Sequence, residues 1–456
     1  MTSKKSQLMS KGLVMVVNAT TTNYNRFMDR VILHCDMNAF FASVELLEHP
    51  ELRELPVAVC GDPESRHGIV LAKNEIAKSF GISTAETIYS ARRKCPSLKT
   101  LKAHHWKYHD YSKKINDIYY RFTDMLEPFS VDESWLDISG SIGLFGDGRE
   151  VADKIRQMVK KELGLTLSVG VSFNKIFAKM GSDYKKPDAT TVISRDNFKD
   201  ILWPLPAGAF FGVGRATAAK LRERGINTIG DLALYDRNIL LSAFGKMGGV
   251  IHDHANGLDS SPVSQAFERR SIKSVGNGIT FRRDISGEDD ICIGVTALAD
   301  SVAGRLRKYG LRCGGVKVDI KDPHFKVVSK QKKLFNATNS TEDIIHAALD
   351  IIREFWGFQK PIRLITITGV NLTDDEAEQL SFLGALSRQD MWHDDVVNLQ
   401  SFDLRDVRDG GIIDYTVDEI RRKYGAGAIV YANLLNNDIG IELDEMADEG
   451  DATTSL

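Results

Sequence analysis

Hydrophobic and polar positions follow two different periods along this chain, which predicts a mixture of strands and helices. Short apolar or alternating runs predict strands, and longer stretches with helical spacing predict helices. The predicted strands are 30–35 (RVILHC), 56–60, 68–72, 165–171 and 190–194, and the longest predicted helices are 107–126 and 149–163. Because these elements do not form a strict strand–helix–strand repeat, we expect an α+β fold.

The pattern changes after Trp203. Residues 204–258 have short helical stretches broken by glycines and no strand signal, and 258–265 (LDSSPVSQ) is polar with a proline, which predicts a linker. Strand and helix patterns return over 271–372. A chain of 456 residues is too long for one core, so we expect several domains.

The formal net charge of -3 hides a strong asymmetry. Residues 371–456 contain 20 acidic and 6 basic residues, whereas the remainder contains 53 basic and 42 acidic ones. A basic body with an acidic tail favours a polyanionic partner for the body. A solvated surface with a disordered acidic end would give the same charge pattern, so this interpretation stays open.

The cysteines and the apolar runs exclude several classes of protein. The five cysteines form no C-x-x-C pair and are odd in number, which argues against a disulfide framework or a zinc ribbon and indicates the reducing cytoplasm. No apolar run is long enough to span a bilayer, so we expect no membrane partner. Residues 1–29 are predicted to be an N-terminal extension.

Three carboxylates stand at predicted strand ends. Asp36 follows the strand 30–35, and Asp132 and Glu133 lie at the bend of a predicted strand pair over 129–138. Such a group of hard oxygen ligands selects Mg²⁺, with Mn²⁺ as a substitute. Two such ions about 3.5–4 Å apart serve phosphoryl transfer. Taken alone, an Asp at a strand end and an Asp-Glu turn are also common surface features.

Four sequence blocks resemble signatures of the Y-family (DinB-like, bacterial) translesion DNA polymerases. They are HCDMNAFFASVE (34–45), SVDESWLDIS (130–139), GVSFNKIFAKMGSDYKKPDATTVI (170–193) and KSVGNGITF (273–281), in that order. The resemblance extends from about Val31 to Leu372. It implies a monomeric enzyme that adds dNTPs to the 3′-hydroxyl of a primer on template DNA, at low fidelity and past damaged bases.

The resemblance also implies an α+β right-hand architecture. The palm would comprise 30–39 and 104–194, the small fingers 40–103, the helix-hairpin-helix thumb 195–262, the little finger 270–373, and an acidic C-terminal tail 374–456. Within the tail, 417–424 is predicted to be a small helix, and residues after Asp444 are predicted to be disordered.

The matching positions suggest roles for individual residues. Asp36, Asp132 and Glu133 would bind two metal ions together with the backbone carbonyl of Met37. Phe41 would be the steric gate that rejects a 2′-hydroxyl, whereas its neighbour Phe40 is expected in the core. Lys186 would contact the triphosphate. Asn38 is expected to cap a helix beginning near Ala39.

The fingers depart from the family pattern. Where the family has Tyr-Glu-Ala-Arg, this chain has Glu75-Ile76-Ala77-Lys78. Lys78 supplies a positive charge for the triphosphate but not a bidentate guanidinium. Glu75 would repel phosphate if it pointed inward, so Lys73 and Asn74 are candidates to share the task.

Three further segments indicate nucleic-acid or partner contacts. Gly212 and Gly214, followed by GINTIGDL (225–232), resemble a helix-hairpin-helix that binds backbone phosphate. Lys330 and Lys332 lie in a basic hairpin that would either contact phosphates or protect a sheet edge. The segment 379–383 resembles a sliding-clamp peptide, with a plain tail helix as the alternative; its candidate contacts are Gln379, Leu380, Phe382 and Leu383.

Three other functions remain open at this point. A catalytically inactive DNA-binding relative is disfavoured by the intact Asp36, Asp132 and Glu133. A two-metal nuclease would not need Phe41 or Lys186. A clamp-binding scaffold would depend on the tail and leave the body structural.

Overall fold

A computed structural model of the chain describes residues 29–61, 68–266, 271–374, 409–435 and 437–441. The strands are β1 Ile32–Met37, β2 Val57–Cys60, β3 Val70–Lys73, β4 Lys99–Lys102, β5 Leu126–Pro128, β6 Glu133–Asp137, β7 Leu167–Ser172, β8 Thr190–Ile193, β9 Ser274–Ile285, β10 Arg312–Lys321, β11 Val327–Thr338 and β12 Ile362–Thr373. The helices are α1 Phe40–Glu48, α2 Glu75–Ser79, α3 Ile88–Lys94, α4 His105–Tyr120, α5 Ile142–Phe145, α6 Gly148–Leu163, α7 Lys175–Tyr184, α8 Phe198–Leu202, α9 Arg215–Arg222, α10 Ile229–Leu234, α11 Arg237–Phe244, α12 Lys246–Ala255, α13 Glu288–Lys308, α14 Thr341–Phe355 and α15 Asp409–Tyr424.

A five-stranded sheet in the order β5-β6-β1-β7-β8 forms the palm. Its central strand β1 is buried along its whole length, because helices cover both faces of the sheet. Leu33, Cys35 and Met37 pack with residues of α4 and α6, whereas Ile32 on the opposite face joins Ala178 of α7. Since side chains alternate along a strand, the polar residues of β1 point towards α7.

A separate three-stranded sheet in the order β3-β2-β4 lies in the segment predicted as fingers. Its small core includes Ala58, Val70 and Ala91, contributed by β2, β3 and α3. Short helices α8 to α12 follow the palm, and their core includes Phe173 and Phe177 of the palm. This all-helical region corresponds to the predicted absence of strands after Trp203.

The predicted linker lies against the palm. It contains no helix or strand over 258–265, yet Val263 is buried with Ile32 and Trp135 of the palm. Arg30 Nη1 donates to the Ser261 carbonyl at 2.8 Å. The linker is therefore anchored to the palm at Ser261 and Val263.

The little finger is a four-stranded antiparallel sheet in the order β11-β10-β12-β9, with α13 and α14 contributing to its buried core. β11 forms one edge, and Lys330 and Lys332 on it are exposed. Lys332 Nζ lies 3.1 Å from Asp350 of α14. Among the described helices of the chain, none is both long and apolar enough to cross a bilayer.

Part of the predicted acidic tail is folded onto the little finger. Leu434, Ile439 and Ile441 are buried in the little-finger core. Helix α15 is longer than the predicted helix 417–424, because its first turns contact α13 and the start of α14. We correct the prediction accordingly: residues 409–441, where described, extend the little finger.

One arginine joins this extension to α13. Arg307 Nε and Nη2 donate to the two carboxylate oxygens of Asp418, at 2.5 and 3.0 Å. Arg307 Nη1 lies 3.2 Å from Asp414 Oδ2 and donates to the Asn339 carbonyl at 2.8 Å. We call Arg307, Asp414 and Asp418 the clasp cluster. The Arg307 side chain is almost fully buried. Because buried N–H groups require hydrogen-bond acceptors, each of these contacts is needed to keep the guanidinium satisfied.

Candidate active site

Two of the three predicted carboxylates, those of Asp36 and Glu133, lie together on adjacent strands of the palm sheet. In the antiparallel pairing of β1 with β6, Asp36 lies directly opposite Glu133. On its other side, Asp36 lies opposite Ser168 of β7. The central position of β1 therefore places Asp36 between two strands, and α7 covers the face on which its side chain lies.

Two lysines are inserted among these acids. Lys179 Nζ of α7 lies 2.9 Å from Asp36 Oδ2, 2.9 Å from Glu133 Oε2 and 3.3 Å from Asp183. Lys186 Nζ lies 2.7 Å from the same Asp36 oxygen and 2.8 Å from Asp183. We call these five residues the palm cluster. With three acids and two lysines, it retains a net negative charge before Asp132 is counted.

Sequence reasoning missed Lys179. It looks like an ordinary helical lysine, and only the packing of α7 on β1 brings it to Asp36. Its spacing of four residues from both Lys175 and Asp183 does place the three on one helix face, which was a usable signal. Burial lowers the pKa of Lys179, but Asp36, Asp183 and Glu133 raise it well above its ordinary value, so the side chain is a cation.

A buried histidine lies beneath the carboxylates. Ser182 Oγ donates its single proton to the Lys179 carbonyl at 2.8 Å, so it must accept from His34 Nδ1, also 2.8 Å away. Burial lowers the pKa of His34, while its contact with Glu133 opposes that shift. His34 Nε2 lies 3.2 Å from Glu133 Oε2.

This contact leaves unsatisfied buried atoms. His34 Nε2 and Glu133 Oε2 both lack a hydrogen bond within the described part of the chain, although Lys179 Nζ is within ion-pair distance of Glu133. Ligand atoms of His34, Asp36 and Glu133 lie within 4.8 Å of one another. An excess of acids over cations and the closeness of these ligand atoms fit a site for a hard divalent cation.

The environments of the two adjacent acids differ. Burial raises the pKa of Glu133, but His34 and Lys179 lower it more strongly, to about 2. Burial raises the pKa of Asp132 above its ordinary value, even though its carboxylate accepts a hydrogen bond from Ser130 Oγ at 2.6 Å. The Asp132 carbonyl accepts from the backbone N–H of Met37 at 3.1 Å, which ties the turn to the end of β1.

Asn38 does not cap the following helix. Helix α1 begins at Phe40 with Ala39 in the left-handed region as its cap residue. The Asn38 amide is instead turned towards β7. The orientation that satisfies all its neighbours has the nitrogen donating to Ser168 Oγ at 2.9 Å and the oxygen accepting from the N–H groups of Leu167 and Asp188 at 3.1 and 3.0 Å. The capping prediction was wrong because these tertiary partners compete successfully for the amide.

The two adjacent phenylalanines lie in different surroundings. Phe40 is buried in the palm core, as predicted. Phe41 is half-buried and stacks on Tyr108 of α4, with ring centroids 3.8 Å apart and planes 10° apart. Tyr108 is fixed in turn, because its hydroxyl donates to Glu45 at 2.7 Å. The Phe41 ring therefore rests on a rigid support.

The fingers residues are engaged with one another. The exposed Lys78 and Glu75 form an ion pair of 3.1 Å within α2. Asn74 caps α2 by accepting from Ala77 N, and its amide nitrogen donates to the Leu55 carbonyl at 2.7 Å. Lys73 donates to Thr84 Oγ1 at 3.0 Å. Asn74 is thus occupied by structural bonds, which argues against a role at the triphosphate.

The remaining predicted contacts lie away from the palm cluster. Gly212 has a φ of 87°, which favours glycine, and Gly214 is the residue before α9, so this turn presents the helix N-terminus. Lys330 lies on the edge strand β11. The predicted clamp contacts Gln379, Leu380, Phe382 and Leu383 lie outside the described residues.

Comparison with known families gives a consistent result. Residues 35–183 match the impB/mucB/samB family, 272–382 match the C-terminal domain of that family, and 210–259 match the thumb domain described for DNA polymerase-iota. These three matches follow the order of the palm and fingers, the helical region and the little-finger sheet.

Individual relatives agree with these matches. DNA polymerase IV of Acetivibrio thermocellus is 44% identical over 402 residues, which is 87% of this chain and 96% of that protein. DNA polymerase IV of Clostridium acetobutylicum is 36% identical over 90% of this chain and 100% of its own. The solved structure of a Y-family DNA polymerase chimera, Dbh-Dpo4(243-245)-Dbh, superposes with a TM-score of 0.68 at 24% identity, covering 76% of this chain and 100% of that one.

Proposed function

The chain belongs to the Y-family of DNA polymerases, within the DNA polymerase IV group, and we propose that it joins dNTPs to a primer 3′-hydroxyl at the palm cluster. As a member of this group it is a DNA-directed DNA polymerase of the translesion type, with DNA and dNTPs as substrates. The observation that supports the location is the cluster itself, in which acids outnumber cations and Glu133 Oε2 has no hydrogen bond among the described residues.

Asp36, Asp132 and Glu133, with the Met37 carbonyl, would hold two Mg²⁺ ions, for which Mn²⁺ could substitute. When bound, these ions would lower the pKa of the primer hydroxyl and stabilise the departing pyrophosphate. Lys179 lies between Asp36 and Glu133, where its positive charge limits their mutual repulsion and helps to lower the pKa of Glu133. Lys179 therefore holds Asp36 and Glu133 close together, in an arrangement that can accept cations.

Lys186 is our candidate for contacting the triphosphate. It is held beside Asp36 and is partly exposed, so its ammonium group can reach solvent and a bound nucleotide from the same position. Lys78 is a weaker candidate, because it would first have to leave Glu75. We expect the fingers of this enzyme to grip the triphosphate less strongly than an arginine would.

Phe41 would discriminate against ribonucleotides. Its ring is stacked on the buried Tyr108 and cannot easily withdraw, so a 2′-hydroxyl placed against it would meet a fixed obstacle. For the DNA itself, we propose that Gly212 and Gly214 contact backbone phosphate and that Lys330 and Lys332 track the groove.

Other parts of the proposal concern partners and location. We propose that the enzyme is a monomer in the bacterial cytoplasm, where its DNA and dNTP substrates are found. The peptide Gln379–Leu383 would dock on a sliding clamp. Deleting these five residues should weaken clamp association and leave basal primer extension unchanged.

Primer extension tests the main proposal directly. With primer-template DNA, four dNTPs and Mg²⁺, the protein should extend the primer. Glu133→Ala should reduce extension by more than about 100-fold. Loss of a residue that only hydrogen-bonds to a metal ligand already costs about 10–100-fold, and Glu133 is proposed to be a ligand itself. The variant should still bind primer-template DNA. Extension that survives in Glu133→Ala would place the chemistry elsewhere.

A second arm tests the steric gate. Phe41→Ala should incorporate ribonucleotides much more readily, whereas Phe41→Tyr, which keeps the ring, should discriminate like the parent enzyme. Equal discrimination by all three proteins would remove Phe41 from the proposal without affecting the metal site.

A further inference from the structure

The loop 185–189, which joins α7 to β8 and carries Lys186, contains a residue in an unfavourable conformation. Asp188 has a φ of 49°, in the left-handed region that residues other than glycine seldom adopt. Aspartate and asparagine tolerate this region better than most residues, but neither prefers it. Contacts from outside the loop must therefore hold Asp188 in place.

Arg156 of α6 supplies such contacts. Its Nη2 donates to Asp188 Oδ1 at 2.7 Å and also to the Asp188 carbonyl oxygen, while its Nε donates to Oδ1 at 3.2 Å. A single planar guanidinium thus holds both the side chain and the backbone of one residue. Burial raises the pKa of Asp188, but the bonds from Arg156 lower it below its ordinary value, so the carboxylate is charged.

Arg156 is itself fixed on two sides. Its Nη1 donates to Asp153 Oδ1 at 3.0 Å and to Thr190 Oγ1 at 3.3 Å, and the Thr190 hydroxyl donates to Asp153 at 2.6 Å. Because Asp153 is on α6 and Thr190 is on β8, the orientation of the guanidinium is set by two regular elements. The Arg156 side chain lines a cavity of about 340 Å³. A shorter side chain would therefore enlarge this existing cavity and would not leave a new hole in a packed core.

A second contact grips Asp188 from the side of the active site. The Asn38 amide oxygen accepts from the N–H of Asp188 at 3.0 Å, and Asn38 follows β1, the strand that carries Asp36. Asp188 therefore lies between the active-site strand and α6. Lys186 is two residues earlier, with its Nζ 2.7 Å from Asp36.

We propose that Arg156 is a positioning residue for Lys186, acting through Asp188. The proposal rests on the triphosphate role proposed above for Lys186. With Arg156 in place, the loop has one conformation and the ammonium group stays beside Asp36. Without it, Asp188 relaxes towards the ordinary backbone regions, and Lys186 spends less time where a triphosphate would meet it.

Nucleotide affinity provides the first test. Arg156→Met should weaken dNTP binding in single-turnover extension by about tenfold, because small displacements of binding groups carry large penalties. Arg156→Lys should not restore it, since an ammonium group cannot make the same three contacts. Arg121→Met is the matched control: Arg121 makes a comparable two-pronged contact with Glu162 on the same helix α6, at 2.8 and 2.9 Å, but does not touch the loop. The affinity for primer-template DNA should be unchanged in all variants.

A double-mutant cycle separates positioning from a general structural effect. If Arg156 acts through Lys186, Arg156→Met should have no further effect on dNTP affinity in a Lys186→Met background. An equal loss in both backgrounds would overturn the proposal.

Hydrogen exchange tests the loop independently of nucleotide binding. Amides of 185–189 should exchange faster in Arg156→Met and at the parent rate in Arg121→Met. Unchanged exchange would refute the proposed grip. If Lys186→Met leaves dNTP affinity intact while exchange rises as expected, the proposed role of Lys186 fails but the hold of Arg156 on the loop stands.

Discussion

The palm cluster and the clasp cluster both surround a buried cation with carboxylates, but they use different cations. In the palm, Lys179 is a point charge shared by Asp36, Glu133 and Asp183 at 2.9 to 3.3 Å. In the little finger, Arg307 takes both oxygens of Asp418 and fills its remaining positions with fixed acceptors.

If the palm cluster binds metal as we propose, this difference distinguishes a binding site from a structural contact. A lysine neutralises part of a group of acids without fixing the direction of each oxygen, and Glu133 Oε2 is left with no hydrogen bond in the described structure. An arginine with a bidentate partner leaves both groups satisfied. Unsatisfied acids around a lysine are suited to binding further cations, whereas saturated acids around an arginine are suited to holding two segments together.

Removing the cation of the clasp should give the largest effect on stability. Arg307→Met should lower the free energy of unfolding of the little finger by about 3 kcal/mol, because it leaves the buried Asp414 and the half-buried Asp418 without their partner. The extension rate per folded molecule should remain near the parent value. Denaturant unfolding and primer extension measure the two quantities.

The control for this prediction is Arg422→Met. Arg422 is an exposed arginine on the same helix α15, 3.1 Å from Glu419. Its replacement should change little, since exposed pairs contribute little. Equal stability of both variants would contradict the structural role of the clasp.

Removing the cation of the palm cluster should make the protein depend more strongly on metal. In Lys179→Met, the acids repel each other until a divalent ion binds, so added Mg²⁺ should stabilise the variant by about 1–2 kcal/mol more than it stabilises the parent. Thermal unfolding with and without MgCl₂ measures this difference. Arg307→Met should show no such additional stabilisation by Mg²⁺, and if it did, the distinction between the clusters would be lost.

A carboxylate of the palm cluster and one beside the clasp cluster should respond to acid with opposite signs. The folded-state pKa of Glu133 is lowered from 4.5 to about 2, so its contribution to stability is present above pH 4.5 and is lost as the pH falls through about 2. Beside the clasp, Arg421 lies 2.8 Å from Asp300, yet burial raises the pKa of Asp300 above its ordinary 3.8. Its contribution is therefore present below pH 3.8 and is lost as the pH rises through the folded-state value.

Matched variants in metal-free buffer expose this contrast. As the pH falls from 7 towards 3, the parent should lose about 1 kcal/mol relative to Glu133→Gln and should gain up to about 1 kcal/mol relative to Asp300→Asn. Unfolding free energies at each pH measure both differences. If both differences moved in the same direction, one of the two assigned environments would be wrong.

The sequence was most informative where function requires particular residue types at particular strand ends. Asp36 and Glu133 could be predicted as neighbours because their sequence blocks place them near the ends of two strands, and the structure places them opposite each other. The family and fold followed from four ordered blocks. The domain bounds stay predictions.

Residues that depend on tertiary packing could not be predicted in this way. Lys179 and His34 gain their significance only when α7 packs against β1, and Asn38 found partners in β7 that outweighed its local preference for capping. The acidic composition of the C-terminal segment led to the prediction of a tail, because its few apolar residues are scattered along the sequence. Its contact with the little finger depends on Asp418 and Arg307, which are 111 positions apart.

The folded C-terminal extension also determines which residues must be transferred together when little fingers are exchanged between related polymerases. A chimera that took the little finger of this enzyme and stopped after β12 would omit Leu434, Ile439 and Ile441 and expose the apolar surface that they cover. It would also leave Arg307 buried without its acids. Grafts between relatives should therefore be cut after Ile441, and a comparison of long and short grafts would show how far the interchangeable module extends.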